Sequence, residues 1–269
     1  MRKAVVISSN NNPDYLFYVP IVYWAWAKFG WGVCFYHTDI PDRMYHLITG
    51  LLCQHVPVEF EYQIWHTPRL IKFRDETIAQ CSRLYASDHC NEEVLLLTSD
   101  ADMLPLSNYW TPDENAITCY GRDLSNVHQP ICFVSAPSSL WNGIMNLTGD
   151  LYRDMQRDLE NEPNAVSSEW SKWWQCDQNI LTERLSHYSV VNVHRGIAPN
   201  SHYPLGRIDR GDWERTVQQK ERIDAHLPRK GYDPVNFDKI INLISGCFNI
   251  PVNELYWMEE YRQQFIKLM

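Results

Sequence analysis

The residues best placed to do chemistry are two aspartates one position apart, Asp100-Ala101-Asp102. They follow an apolar run, Val94-Leu95-Leu96-Leu97, and a polar pair, Thr98-Ser99. A buried strand ending in this way delivers two like charges to the rim of a sheet. In open α/β sheets that rim is where ligands bind. Two carboxylates so close are unfavourable together unless a cation joins them. A hard divalent ion, Mn²⁺ or Mg²⁺, accepts such oxygens together with substrate phosphates. As a Lewis acid it would offset charge growing on a departing diphosphate. The plainer alternative is an Asp-rich turn. The strand before the pair and Met103-Leu104-Pro105 after it favour a site.

Two further segments bear on this one. Trp174-Gln175-Cys176-Asp177-Gln178-Asn179-Ile180-Leu181 opens a stretch of helical spacing, and Asp224-Ala225-His226-Leu227-Pro228-Arg229-Lys230-Gly231 comes later. In this order the three motifs resemble the GT-A superfamily of nucleotide-sugar glycosyltransferases, and are most similar to its glycogenin-like branch. The late segment departs from that pattern, lacking the Gly and the Pro-Trp that usually surround the Lys. The resemblance implies one α/β GT-A (Rossmann-like) domain over residues 1–269, its mostly parallel central sheet flanked by helices. The donor half would cover about 1–120 and the acceptor half about 121–269. It implies metal-dependent transfer of a hexose or pentose to a hydroxyl of a glycan acceptor, leaning to retention. The donor would be a UDP-sugar first and a GDP-sugar second.

The resemblance also assigns roles. Asp100 would meet ribose and metal, Asp102 and His226 the metal, and Lys230 the diphosphate. Asp177, with Asp100 and Asp102 one of the catalytic residues, would contact the donor sugar or, in an inverting enzyme, act as general base on the acceptor hydroxyl. Ser8, Ser9 and Asn10 would meet base and ribose, with Tyr15 or Tyr18 stacked on the base, and Arg83 would reach the donor. Each position has a bland alternative. Asp177 suits a helix N-cap. His226 has rivals in His194 and His202. Lys230 and Arg229 could be solvated loop charges, Arg83 a surface charge, and Ser8 to Asn10 a polar turn. Trp170, Trp173 and Trp174 would form an acceptor platform, since sugar C–H faces stack on Trp. Core packing is the usual fate of a single Trp. Arg207-Ile208-Asp209-Arg210 with Trp213 reads as a lid over the site or as a salt-bridge knot.

The elements that must carry these residues follow from hydrophobic pattern. Residues 4–8, 32–37, 94–97, 117–120, 131–135 and 189–194 read as strands. Residues 15–29, 41–53, 68–88, 138–160, 177–186 and 253–268 read as helices. Alternation of the two predicts helices on a mostly parallel sheet. Residues 195–234, rich in Arg, Asp, Gly and Pro, read as a long functional loop region.

Composition narrows the partners. The chain has 269 residues, 45% of them hydrophobic, enough to fill a core without staples. A net charge of -9 disfavours nucleic acid, whose binding needs Lys and Arg on phosphates. A small nucleotide escapes this, because one bound cation offsets its charge locally. The 8 cysteines form no C-x-x-C pair and sit singly in apolar stretches, as buried thiols do. No apolar run is long enough for a signal peptide or a membrane span, which predicts a soluble, cytoplasmic protein. Two other classes compete: a sugar nucleotidyltransferase and a non-catalytic carbohydrate-binding module. The first usually carries a Gly-rich basic loop near the N-terminus, and residues 8–14 hold neither Gly nor Lys. The second needs no carboxylate pair.

Overall fold

The structure, a computed structural model, describes residues 1–56, 62–121, 128–196, 204–213 and 222–269. Its centre is a seven-stranded sheet in the order β3-β2-β1-β4-β7-β6-β8. The strands are β1 (Arg2–Ser9), β2 (Gly32–His37), β3 (Tyr62–His66), β4 (Val94–Thr98), β6 (Ile117–Tyr120), β7 (Val134–Pro137) and β8 (Val190–Val193), with β5 given below. All neighbours pair parallel except β7, which runs antiparallel to both β4 and β6.

Alternation along the strands builds two cores. Val5 and Ile7 of β1, Val33 and Phe35 of β2 and Leu97 of β4 face one layer. Ala4 and Val6, Cys34 and Tyr36, and Leu96 face the other. A period of two places neighbours on opposite faces, so strands buried on both sides read as continuous apolar runs. The first layer holds α2 (Val19–Lys28), α3 (Asp42–His55), α9 (Pro234–Phe248) and α10 (Tyr256–Leu268). The second holds α4 (Asp75–Ser82), a 3₁₀ helix (Arg83–His89), α5 (Ser138–Met145), α6 (Leu151–Asn161) and α8 (Cys176–Leu185). Every residue of α2 from Val19 to Ala27 is buried. A helix apolar on all sides belongs inside a protein, and α2 is enclosed by its neighbours. No described helix is long and apolar enough to cross a membrane.

Several expectations need correction. The helix over 15–29 is broken into α1 (Pro13–Leu16) and α2. The stretch 68–88 becomes helical only at Asp75 and tightens to 3₁₀ at Arg83. The span 138–160 is two helices: Asn146 (φ 51) and Gly149 (φ 85) end the first in left-handed backbone, and Asp150 caps the second through Arg153 N. The strand at 131–135 begins only at Val134. Strand β3 and helix α9 were not anticipated. Asp233 caps α9 through Val235 N, and Pro234 takes its first position.

The largest departure lies in 195–234. There β9 (Arg207–Ile208) and β10 (Asp224–His226) form a second small sheet with β5 (Met103–Pro105). Strand β10 runs antiparallel to β5, with His226 opposite Met103. One buried carboxylate fixes this sheet. Asp224 accepts from Arg195 Nη1 at 2.7 Å and from Arg207 Nε and Nη2 at 3.0 Å each. Burial alone would raise the Asp224 carboxyl, but Arg207 and Arg195 outweigh it and hold it below its usual value.

Asp224→Ala removes the carboxylate that both guanidinium groups share inside the protein. The expected loss is about 3–5 kcal/mol of stability, read from urea unfolding. The sign of the acid effect follows from the depressed value. Asp224 contributes fully above about pH 4, where the unfolded carboxyl is ionised, and its contribution fades as pH falls through the lower folded-state value. Equal stability of wild type and variant at neutral pH would contradict the assignment.

Candidate functional site

A cleft opens beyond the carboxyl ends of β1 and β4. These parallel neighbours stand where the strand order reverses, the switch point at which α/β sheets bind ligands. Ser8, Ser9 and Asn10 line it from the end of β1, and Asp100, Ala101 and Asp102 from the turn after β4. Across it stand Trp170, Trp174, Asp177 and Gln178, with Arg210, His226 and Arg229 on a further side.

The loop after β1 is pinned by its own amides. Asn10 Oδ1 accepts from Asn12 N at 3.1 Å, and Asn12 Oδ1 from Asp14 N at 3.0 Å. Such Asx turns explain Asn10 and Asn12 without invoking a ligand. Asp14 in turn accepts from Lys230 N at 3.0 Å, tying the loop to the late segment.

Arg83 links the two acidic motifs. Its Nη2 donates to Asp177 Oδ2 at 2.6 Å, and its Nη1 to Asp100 Oδ1 and to Ser99 O. Its Nε donates to Gln80 O at 3.1 Å. The Arg83 side chain is 4% exposed and that of Asp177 2%, so this is a buried pair. Burial opposes the charge on Arg83, but Asp100 and Asp177 outweigh it and lift its pKa. Asp100 feels the desolvation too, and Arg83 overcomes it, holding the carboxyl below its usual range. Asp177 has lost more water; burial pushes it up and Arg83 only partly offsets that. Arg83 is thus a buried clamp rather than a surface charge. Asp177 is not the N-cap of α8, since Gln175 occupies that position.

Asp102 and His226 meet because β10 lies on β5. Leu227 N donates to Asp102 O at 2.9 Å, extending that ladder. His226 Nε2 lies 3.5 Å from Asp102 Oδ2, and Nδ1 lies 3.3 Å from Asp209 Oδ2. A carboxylate hydrogen-bonded to the far nitrogen is how metal-binding imidazoles are commonly oriented. Asp102 Oδ2 also accepts from Arg210 Nη2, while Arg210 Nε donates to Leu227 O at 2.9 Å. Trp213 Nε1 donates to His226 O at 2.9 Å. The Arg207 to Trp213 cluster therefore belongs partly to the site and partly to the Asp224 knot.

Other residues fall differently from expectation. Lys230 is exposed and outside the lining; its backbone turns there in left-handed conformation (φ 53), and Arg229 takes the cleft-facing place. Tyr18 is fully buried with its hydroxyl on Pro228 O, which removes it as a base-stacking face. Trp173 is buried beneath Arg74, leaving Trp170 and Trp174 at the cleft, their rings 5.5 Å apart. His194 is exposed and does not line the cleft, and His202 lies outside the described residues. Arg210, missing from the expected ligand residues, sits on a three-residue 3₁₀ turn that carries no sequence signal of its own.

The donor types of Asp100, Asp102 and His226 fit Mn²⁺ or Mg²⁺. Among the described residues, however, no three His, Cys, Asp or Glu side chains are grouped to hold an ion as they stand. Guanidinium groups face both aspartates instead.

The architecture is a GT-A-type fold. Among solved structures it is similar to the glycosyltransferase GlyE of Streptococcus pneumoniae TIGR4, at TM-score 0.51 with 11% identity and, in the apo form, 0.53 with 12%. Each alignment covers 96% of this chain and 64% of GlyE, so the chain spans under two thirds of that protein's length. An active-site mutant of LgtC aligns more loosely, at TM-score 0.43 and 10% identity over 88% of this chain and 82% of that one. No protein-family model matches the sequence, and no curated protein does.

Arg83→Ala leaves Asp177 buried without its cation. The expected loss is about 3–5 kcal/mol in urea unfolding. Arg83→Lys should recover less than half of it, because one ammonium cannot fork between Asp100 and Asp177. Full recovery by Lys would show that the fork is not what holds the two motifs together.

Proposed function

We propose that this chain is a metal-dependent glycosyltransferase moving a sugar from a nucleoside-diphosphate sugar to a glycan hydroxyl. The observation that carries the reading is the meeting of Asp102 and His226 in the cleft that Asp100, Asp177 and the end of β1 also line. Two segments far apart in the sequence converge there, each anchored in the core by its neighbours while the carboxylate and the imidazole face the cleft.

Asp100, Asp102 and His226 would hold Mn²⁺ or Mg²⁺. When bound, the dication supplies positive charge against the oxygen charge that grows on the departing diphosphate. The chain's own residues do the rest. Ser8, Ser9 and Asn10 border the place for base and ribose. Arg229, rather than Lys230, is the cation of the late segment that faces the phosphates. Trp170, 59% exposed and stacked near Trp174, offers a flat apolar face to an acceptor ring. Asp177 Oδ2 is held by Arg83, and Oδ1 accepts from Gln178 N at 2.8 Å. The reading leans to retention, the outcome favoured by a glycogenin-like motif order. UDP-sugar is the first donor to test and GDP-sugar the second. A carbohydrate-binding module would have no use for this acidic centre, and nothing in the cleft favours a nucleotidyltransferase.

Release of the nucleoside diphosphate, UDP or GDP, from a panel of UDP- and GDP-sugars should require added Mn²⁺ and stop with chelator. Asp102→Asn should lower turnover by at least about 100-fold, the rate equivalent of several kcal/mol of Lewis-acid stabilisation. His226→Ala should shift the Mn²⁺ requirement upward with a smaller loss of rate. Turnover unaffected by chelator, or retained in Asp102→Asn, would reject the metal role.

A further inference from the structure

The same oxygen of Asp102 serves two purposes. Oδ2 faces His226 Nε2 at 3.5 Å, as an oxygen shared with a bound ion would. It also accepts from Arg210. The Asp102 side chain is 2% exposed, so it cannot stay charged without a cation beside it. A guanidinium on that oxygen works against a dication there, because the two positive charges repel.

Arg210 is built to leave. Its side chain is 25% exposed, against 4% for Arg83. Apart from Asp102 it makes one described hydrogen bond, through Nε to Leu227 O. That bond lies at the base of the planar head, so the outer nitrogens can turn about it. The head lies 5.9 Å from the Tyr15 ring centre, and Arg229 lies 5.6 Å from the same centre. Two guanidinium groups thus share one aromatic ring at the mouth of the cleft. Guanidinium forks pair with phosphate in bidentate fashion, and two of them lining one cleft suit a diphosphate.

Resting on the metal reading above, we propose that Arg210 is a built-in competitor for the metal site that exchanges Asp102 for the donor's diphosphate. With no ligand it neutralises Asp102. A dication alone must break that pair and leave the guanidinium without an equivalent partner. A dication arriving with a nucleoside diphosphate supplies the replacement. Metal and nucleotide therefore strengthen each other's binding, by the same factor in both directions. Removing Arg210 frees the carboxylate for the ion but takes away the diphosphate's partner. The two effects have opposite signs, and a merely structural arginine would not produce them.

The test is titration of the whole chain with Mn²⁺, reading free ion by electron paramagnetic resonance, with and without UDP. In wild type, UDP should tighten Mn²⁺ binding by about 10-fold or more, within the usual range of coupling between sites. In Arg210→Ala, Mn²⁺ alone should bind about fivefold or more tighter than in wild type, and the enhancement by UDP should shrink below about threefold. Arg210→Lys keeps a charge but loses the fork, and should fall between the two; it carries the test if the alanine variant misfolds. If wild type binds Mn²⁺ but neither variant binds it more tightly without UDP, the exchange is wrong and the metal reading stands. If Mn²⁺ binds none of the proteins, with or without UDP, the metal reading fails and the exchange fails with it.

Discussion

A carboxylate removed from water must be met by a cation, and three such carboxylates organise this end of the molecule. The side chains of Asp102, Asp177 and Asp224 are 2%, 2% and 0% exposed. Each is answered by arginine, which stays protonated at any depth and can serve two acceptors at once. The answers differ in rigidity. Arg195 and Arg207 close on Asp224 from two sides, inside the protein. Arg83 is engaged at Nε, Nη1 and Nη2. Arg210 is the most exposed of these, its side chain at 25% against 14% for Arg207. The gradient runs from structure to exchangeable contact: the Asp224 knot fixes β10, the Arg83 clamp fixes the two acidic motifs, and Arg210 occupies the place a ligand would claim.

The site depends on pairing between distant segments. Strand β10 has three residues and no stability of its own. It persists because Ala225 and Leu227 join Leu104 and Ile208 in the first core while Asp224 is clamped beneath. His226 lies between these anchors, its backbone carbonyl held by Trp213 and its ring by Asp209. On the proposed reading, an imidazole that holds a metal must be kept in one orientation, and these neighbours would do that.

This division explains what could be read from the chain alone. Asp100 and Asp102 were legible because Val94 to Leu97 is an unbroken apolar run that stops abruptly, a local pattern. The central sheet was legible for the same reason. Helix α9 had a readable start in Asp233-Pro234 and readable spacing in Phe237, Ile240, Ile241 and Ile244, but it adjoins a polar stretch that hid it. The break at Asn146 to Asp150 also had a signal, Gly followed by a capping Asp. Strand β3 mixes polar and aromatic residues and gives no clear period. Strands β9 and β10 and the Arg210 turn have no local signature at all, because their conformations are decided by Asp224 and by β5. The Arg207 to Arg210 cluster was legible as a lid or a salt-bridge knot, but the pairing of Arg210 with Asp102 becomes visible only in the fold.

The balance of charge in the cleft bears on how an anion could enter. Among the described lining residues, Glu76, Asp100, Asp102 and Asp177 stand against Arg83, Arg210 and Arg229. With four carboxylates and three guanidinium groups, the cleft offers a bare diphosphate no net attraction. The whole chain, at -9, adds a repelling field that only salt screens. One dication turns the excess of one negative charge into one positive charge at the place where the carboxylates converge. On the proposed reading, the acidic character of the protein therefore acts as a filter. It leaves nucleotide without metal outside and admits the two together, the pairing in which the diphosphate is also a better leaving group.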